Sequence, residues 1–346
     1  MSADVSARTV RQAEGLDPVR ALQRVLYRSA KQNRTRRFHA LFDKVTRSDV
    51  MWQAWVDVAA NRGAPGVDGV TIAELADGGV ETVRAFLDGI VDQLRAGTYR
   101  PSPLRRVQIP KPGKPDEFRP LGIPTVADRV VMTATKIVLE PVFEADFSPV
   151  SFGFRPKRSA HQALEAVRQA ANQGRLWVLD ADIKACFDNI DHEALMGQVE
   201  RRIVDRQMLK LLRSWLRVGV FEGGVVSEVE VGTPQGSPIS PLLANIALHV
   251  LDEAWECDGR RMGVLVRYAD DRAPRTQGEI DVEGRNRRAV LCQRWRWALR
   301  DRPAGGGPKP PQAASVKSRG GERCGNGVPL SASGVSREGE RKRTIR

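Results

Sequence analysis

Two short stretches of this 346-residue chain end apolar runs in carboxylates. Residues 176–183 read as a mostly apolar strand, bounded by Gly174 and followed by a turn. Asp180 and Asp182 lie two apart, so on a strand they share one face, with Ala181 and Ile183 on the other. A carboxylate near the end of a buried strand is costly unless something positive meets it. Alone, such an Asp is accounted for as a turn cap. A second acidic site, 88 residues after Asp182, changes that reading: the apolar run 262–266 leads into Arg267-Tyr268-Ala269-Asp270-Asp271. Asp182, Asp270 and Asp271, with neither His nor Cys among them, make a hard oxygen donor set suited to Mg²⁺. Two such ions bridged by aspartates are the standard machinery of polymerases.

The elements that must position these carboxylates carry further blocks. Residues 105–124 put two short apolar pieces on either side of a Pro/Gly turn, a hairpin whose prolines suit an edge position. Its basic side chains, among them Lys111 and Arg119, are suited to gripping a triphosphate, or are those of an ordinary basic hairpin. Residues 127–143 form an apolar, buried helix, and Ser151-Phe152-Gly153-Phe154-Arg155 an irregular loop whose Phe residues pack or stack. A helix over 159–173 precedes the first acidic strand. Asp191 caps a helix running to Arg202, a second amphipathic helix spans 205–218, and Gly223-Gly224 turns between two short strands. In Gly232-Thr-Pro-Gln235-Gly236-Ser237-Pro238, Gln235 and Gly236 precede a helix opened by Ser240 and Pro241, where backbone can approach a base pair closely.

Taken in this order, the blocks resemble a bacterial group II intron reverse transcriptase (maturase). The resemblance runs over residues 16–271 and is carried by Tyr-Ala-Asp-Asp, by Asp-Ile-Lys-Ala-Cys-Phe-Asp-Asn-Ile-Asp before it, and by the Gln-Gly-Ser-Pro block. It implies an α+β right-hand polymerase, fingers and palm behind a helical N-terminal extension. The implied chemistry adds dNTPs to a DNA primer on an RNA template with two Mg²⁺ ions, and intron RNA is a partner. By the same resemblance Asp182, the Ile183 carbonyl, Asp270 and Asp271 hold the metals. Lys111 and Arg119 meet the triphosphate, and Gln235 and Gly236 line the nucleotide pocket. Phe187 takes a steric-gate position that crowds a ribose 2′-hydroxyl, the other reading being a core Phe.

Upstream, residues 18–55 have helical spacing, with Leu22, Val25, Leu26 and Ser29 in one set and Leu41, Phe42 and Val45 in another. Arg24, Arg28, Lys31, Arg34, Arg36, Arg37, Lys44 and Arg47 meet a single acid there, Asp43. That run is a solvated face or a surface laid on RNA phosphates. The resemblance favours RNA, naming Arg24, Arg28, Lys31, Arg34, Arg36 and Arg37. Residues 61–69 form a sharp glycine-rich loop, and a helix over 83–94 stops at Gly97.

Net charge is +13, which points to an anionic partner, but its distribution matters. Residues 272–346 carry 18 Lys and Arg against 7 Asp and Glu, so the first 271 residues are close to neutral. Local clusters therefore say more than the total. Four scattered cysteines without a C-x-x-C pair fit a reducing compartment and argue against zinc. No run of eighteen apolar residues is present and the N-terminus lacks a signal-type stretch, so the expectation is a cytoplasmic protein without a membrane partner.

After Asp271 the pattern changes. Arg272-Ala273-Pro274-Arg275 cannot continue a buried central strand. Residues 272–346 hold 17 Gly and Pro but only 10 Leu, Ile, Val or Phe, a disordered composition. The expected division is thus disorder over 1–15, the helical extension over 16–99, fingers and palm over 100–271, and a disordered basic tail over 272–346, with no thumb. A frameshift after Asp271 and a genuine RNA-binding tail both account for the change. Three functions follow: a polymerase weakened by the missing thumb, a non-catalytic RNA-binding splicing cofactor, or a decayed fragment.

Overall fold

The structure is a computed structural model. It describes residues 17–111, 114–175, 177–180, 183, 186–222, 225–227, 232, 236–259, 263–268 and 289–292. The segment 1–15, expected to be disordered, lies outside the described residues. The chain divides into two compact units: one takes in residues up to 148, 154–156 and 185–249, the other 149–153, 157–184 and everything from 250.

The first unit is built around α6, Val126–Glu144, following α1 (Pro18–Gln32), α2 (Phe42–Val45), α3 (Ser48–Ala60), α4 (Ile72–Asp77) and α5 (Gly79–Ala96). Val126, Val130, Val131, Ala134, Val138, Leu139 and Val142 are fully buried, because a helix apolar on all sides has no face to give to water. α1, α2 and α3 pack on it. Asp17 caps α1 by accepting from the Val19 amide at 3.0 Å, with Pro18 at the first helical position. α1 buries Val19, Leu22, Leu26 and Ala30. The helix expected from the spacing of Leu22, Val25, Leu26 and Ser29 is present, but Val25 is 63% exposed, since Val19 and Ala30 extend the apolar face the other way around the helix. α5 stops where expected, at Gly97 in the left-handed region with φ 70°.

The expected hairpin is β1 (Leu104–Lys111) with β2 (Lys114–Ile123), antiparallel from Arg105 opposite Ile123. β4 (Val220–Glu222) adds to β1 in parallel at Leu104 and Arg105 only, and β5 (Val225–Ser227) closes the order β2-β1-β4-β5. β2 is thus an edge strand. Pro110 of β1 lies beyond the reach of β4, so the prolines of both arms sit where no ladder bond is lost.

α8 (His192–Glu200) and α9 (Arg206–Leu216) complete this unit with the first half of α10 (Ser240–Asp258), whose first helical residue is Ser240 itself. Asp205, buried, caps two elements at once. Its Oδ1 accepts from the Gln207 and Met208 amides of α9, and its Oδ2 from Leu41 and Phe42 at 2.8 and 2.9 Å. Nearby, the Phe38 amide donates to the Arg202 carbonyl and the Val204 amide to the Phe38 carbonyl. The Arg202 guanidinium donates to the carbonyls of Ala30 and Arg34 and to Asp146.

The second unit carries α7 (Ala160–Asn172), opened by a Ser159/Gln162 capping box. It also carries a three-stranded parallel sheet of β3 (Trp177–Asp180), β6 (Gly263–Val266) and β7 (Ala289–Cys292) in the order β3-β7-β6. β7 differs from the expectation of no strand beyond Asp271. Ala-Val-Leu-Cys is a short apolar run in a polar segment, and it pairs with both acidic-segment strands. The remainder of 272–346 lies outside the described residues.

Candidate active site

In the second unit the two strands that lead toward the expected carboxylates are the outer strands of one parallel sheet and end at the same side of it. Asp180 at the end of β3 and Val266 at the end of β6 both stand opposite Cys292 of β7. The two strand ends are therefore level and about 10 Å apart, two strand spacings. Asp182, Asp270 and Asp271 themselves lie outside the described residues, and Ile183, which is described, is partly exposed. Among the described residues no group of three or more His, Cys, Asp or Glu is arranged to hold a metal ion.

What fixes the second of these segments is Arg267. Its guanidinium donates from Nε and Nη2 to the two oxygens of Asp252 in α10 at 2.9 and 2.7 Å, with both side chains fully buried. Its backbone exchanges hydrogen bonds with Val150 and Phe152. Arg267 reads in the sequence as one more basic residue before Tyr-Ala-Asp-Asp; its role is to bolt β6 to a helix. Phe152 is buried under the Arg158 guanidinium, 5.5 Å from the ring centroid.

The first unit holds the residues expected around the nucleotide. Lys111 ends β1 opposite Lys114, and Arg119 stands on β2 opposite Ile109. Gln235 lies outside the described residues. Gly236 is described, at φ +108°, and a Cβ there would fall 2.5 Å from the Gly122 carbonyl and 2.9 Å from Leu121 Cδ1. Gly236 thus lies close against β2 of the hairpin. The neighbouring Ser237 is buried, its Oγ 3.1 Å from Met132 Sδ. The same loop is tied back to the second block, because the Gly232 amide donates to the Ile190 carbonyl and His192 Nε2 lies 2.6 Å from the Gly232 carbonyl.

Phe187 opens a 3₁₀ turn, is half-buried, and packs edge-on against Phe154 at 6.5 Å between ring centroids. Phe154 has φ 55°, strained for an aromatic residue, and is 49% exposed. Arg155 is buried, donates to both oxygens of Glu144 at 2.9 and 2.7 Å, and reaches the Ser148 carbonyl at 2.5 Å. The glycine-rich loop over 61–69 packs on the start of α6: Arg129 donates to the Ala64 carbonyl at 2.7 Å, and a Cβ on Gly66 would meet the Thr125 backbone at 2.6 Å. Beside it Asp128 accepts from Tyr99, Thr125 and Ser102, and burial, outweighing these bonds, raises its carboxyl above the ordinary range.

Of the N-terminal cations, Arg24 and Arg28 lie exposed on α1, and Lys31 donates to the Ala145 carbonyl at 2.9 Å. Arg34, Arg36 and Arg37 are exposed on the segment after α1. Arg36 stacks over Phe38 and Arg37 donates to the Glu200 carbonyl.

The family profile described as Reverse transcriptase (RNA-dependent DNA polymerase) matches residues 109–283, half of the chain, and ends beyond Asp271. Group II intron-encoded protein LtrA of Lactococcus lactis subsp. cremoris is 37% identical over 238 residues, 69% of this chain and 39% of that protein. Protein YkfC of Escherichia coli (strain K12) is 37% identical over 239 residues, 67% of this chain and 61% of its own length. Among solved structures, a partial Cas6-RT-Cas1–Cas2 complex covers 67% of this chain and 37% of its own, at 26% identity and a TM-score of 0.45. This chain spans well under two thirds of LtrA. With its acidic blocks, its hairpin and its mixed helix and sheet content, the chain belongs to the reverse transcriptase (RNA-dependent DNA polymerase) family, in its group II intron-encoded branch.

Proposed function

We propose that this chain is the fingers and palm of a group II intron RNA-directed DNA polymerase, behind an RNA-binding extension, and that it is associated with splicing of its intron. The observation that carries the reading is the shared carboxyl end of one sheet: the strands preceding Asp182 and Asp270-Asp271 end level with one another, on either side of β7. The donor set, three carboxylates and the Ile183 carbonyl, is all oxygen and hard, so it fits Mg²⁺. Two such ions, when bound, supply charge neutralisation at the reacting phosphate and acidify the primer 3′-hydroxyl. The chain's own residues do the rest by position and charge. Lys111 and Arg119 neutralise the triphosphate, Arg by a fork and Lys as a point charge. The Phe187 ring, backed by Phe154, crowds the sugar 2′-position. Gln235 and Gly236 shape the pocket for the templating base. The primer 3′-oxygen bonds to the α-phosphorus as the bond to pyrophosphate breaks, and the hydroxyl proton leaves to solvent.

The partners in this reading are intron RNA, an RNA template with its DNA primer, and dNTPs, in the cytoplasm. Among the described residues no helix is long and apolar enough to cross a membrane. The test is extension of a DNA primer annealed to RNA, with Mg²⁺ and dNTPs, by three proteins: the chain as it stands, one with the frame restored after Asp271, and the latter with Asp182→Asn. The restored chain extends, the Asn variant loses activity by orders of magnitude, and the chain as it stands extends little. Near-full activity of the Asn variant removes Asp182 from the metal site. A second reading, a non-catalytic splicing cofactor, is favoured by the change of composition after Asp271 and wins if splicing assistance survives without extension.

A further inference from the structure

We propose that the exposed face of α9 is a phosphate-binding surface that continues the basic segment 34–37, and that its occupant is an RNA strand held by its backbone. Arg206, Lys210, Arg213 and Arg217 recur at helical spacing and line one groove with Leu209 and Ser214. Arg206, Lys210 and Arg217 are exposed, and among the described residues no carboxylate pairs with them. Arg213 pairs with Glu200. The Glu200 carbonyl accepts from Arg37 Nη2 at 3.0 Å, so Arg37 and Arg213 converge on one residue. The Phe38–Ile203 bridge fixes this junction, holding the basic segment beside the entry to α9. Neither half of the surface is visible as part of the other in the sequence, where they stand some 170 residues apart.

The chemistry of the face selects the occupant. Four cations spread over about 16 Å of helix can meet several consecutive phosphates. The lining offers no aromatic ring, so bases have nothing to stack on and the contact is blind to sequence. A protein partner would need an apolar or aromatic anchor at the centre of the patch, and Leu209 is the single apolar lining residue, itself half-buried. An acidic polypeptide is therefore the lesser candidate. The inference rests on RNA being this chain's substrate class, and goes beyond that reading by adding a surface remote in sequence from the six N-terminal cations already named.

The experiment measures binding of a labelled RNA hairpin by fluorescence anisotropy across a series of NaCl concentrations, for the full chain and for Arg206→Gln/Lys210→Gln/Arg217→Gln. The plot of log affinity against log salt becomes shallower by about 2 in the triple variant, at roughly 0.7–0.9 per lost contact. The charge-keeping variant Arg206→Lys/Lys210→Arg/Arg217→Lys retains the original slope. If the triple variant melts at a lower temperature than the parent, Lys210→Gln alone is used, with a slope change of about 0.8. An unchanged slope overturns the proposal, and so does a polyglutamate probe that binds the parent more tightly than RNA and loses affinity in the triple variant. Primer extension is read separately. An unchanged slope with normal extension removes the α9 surface and leaves the polymerase standing, whereas a lost slope with no extension in the frame-restored chain does the reverse.

Discussion

Arg202 in the first unit and Arg267 in the second are both buried, and they are used differently. Arg267 meets one carboxylate, Asp252, fifteen residues away, and both side chains are fully closed to water. Arg202 has one carboxylate too, Asp146, but its two Nη groups also donate to the carbonyls of Ala30, Asn33 and Arg34, up to 172 residues away. The first arrangement is a local bolt whose strength depends on a matched charge. The second is a distributed tie in which backbone dipoles do most of the work, closing the carboxyl end of α1, where a cation is favoured. A pair is lost at once when one partner goes, whereas a tie loses its strands singly.

The comparison breaks most visibly at Arg267. Arg267→Ala leaves Asp252 charged and buried, and is expected to cost about 3–5 kcal/mol by denaturant unfolding. Arg267→Met with Asp252→Leu removes both charges and costs far less. If the single and double variants are equally unstable, the pair is not acting as a matched charge. Arg202→Ala comes next, at about 2–3 kcal/mol, because the freed carbonyls near the end of α1 can still reach water. Its signature is faster proteolysis within residues 30–37, which a purely global loss of stability would not confine there.

Gly236 sharpens the same contrast between tolerance and matching. Gly236→Ala places a methyl 2.5 Å from the Gly122 carbonyl at φ +108°, and should cost about 1–3 kcal/mol. Gly69→Ala, at φ +72° with open space around it, should cost about 1 kcal/mol or less by thermal melting. The smallest effect belongs to a pair in open water. The Arg168 guanidinium donates to Glu165 and lowers its carboxyl to about 2. With the folded value depressed, this contribution is complete above the ordinary carboxylate range and disappears as pH falls through about 2. Carboxyl-carbon NMR should show Glu165 returning toward the ordinary range in Arg168→Ala, with little change in melting temperature.

How much of this was legible varied with the kind of signal. The β1–β2 hairpin, the α5 stop at Gly97, the helix starting at Ser159 and the Asp191 cap have local causes, and a local reading finds them. The spacing of Val25 in α1 showed a helix but not which side of it is covered, because that depends on α6, far along the chain. Asp205 was legible as a cap for the helix after it, but nothing near it in sequence announces Leu41 and Phe42. Nothing in the sequence marks Arg202 or Arg267 as buried, since carbonyl acceptors have no residue signature and Asp252 sits in an apolar helix. β7 went unforeseen because four apolar residues in a polar segment fall below what periodicity can register.

Asp205 has a consequence for the order in which this protein can be made. The Leu41 and Phe42 amides leave synthesis long before the carboxylate that satisfies them. At about 5–20 residues per second that interval is roughly 10–30 s, far longer than a helix needs to form. For that time the Leu41 and Phe42 amides that follow the cations at 34–37 lack their acceptor, and the loop that must close between them and Asp205 grows with every codon. The basic segment 34–37 is thus set in place only after the chain has grown past Asp205, and until then its cations belong to a growing chain rather than to a finished surface.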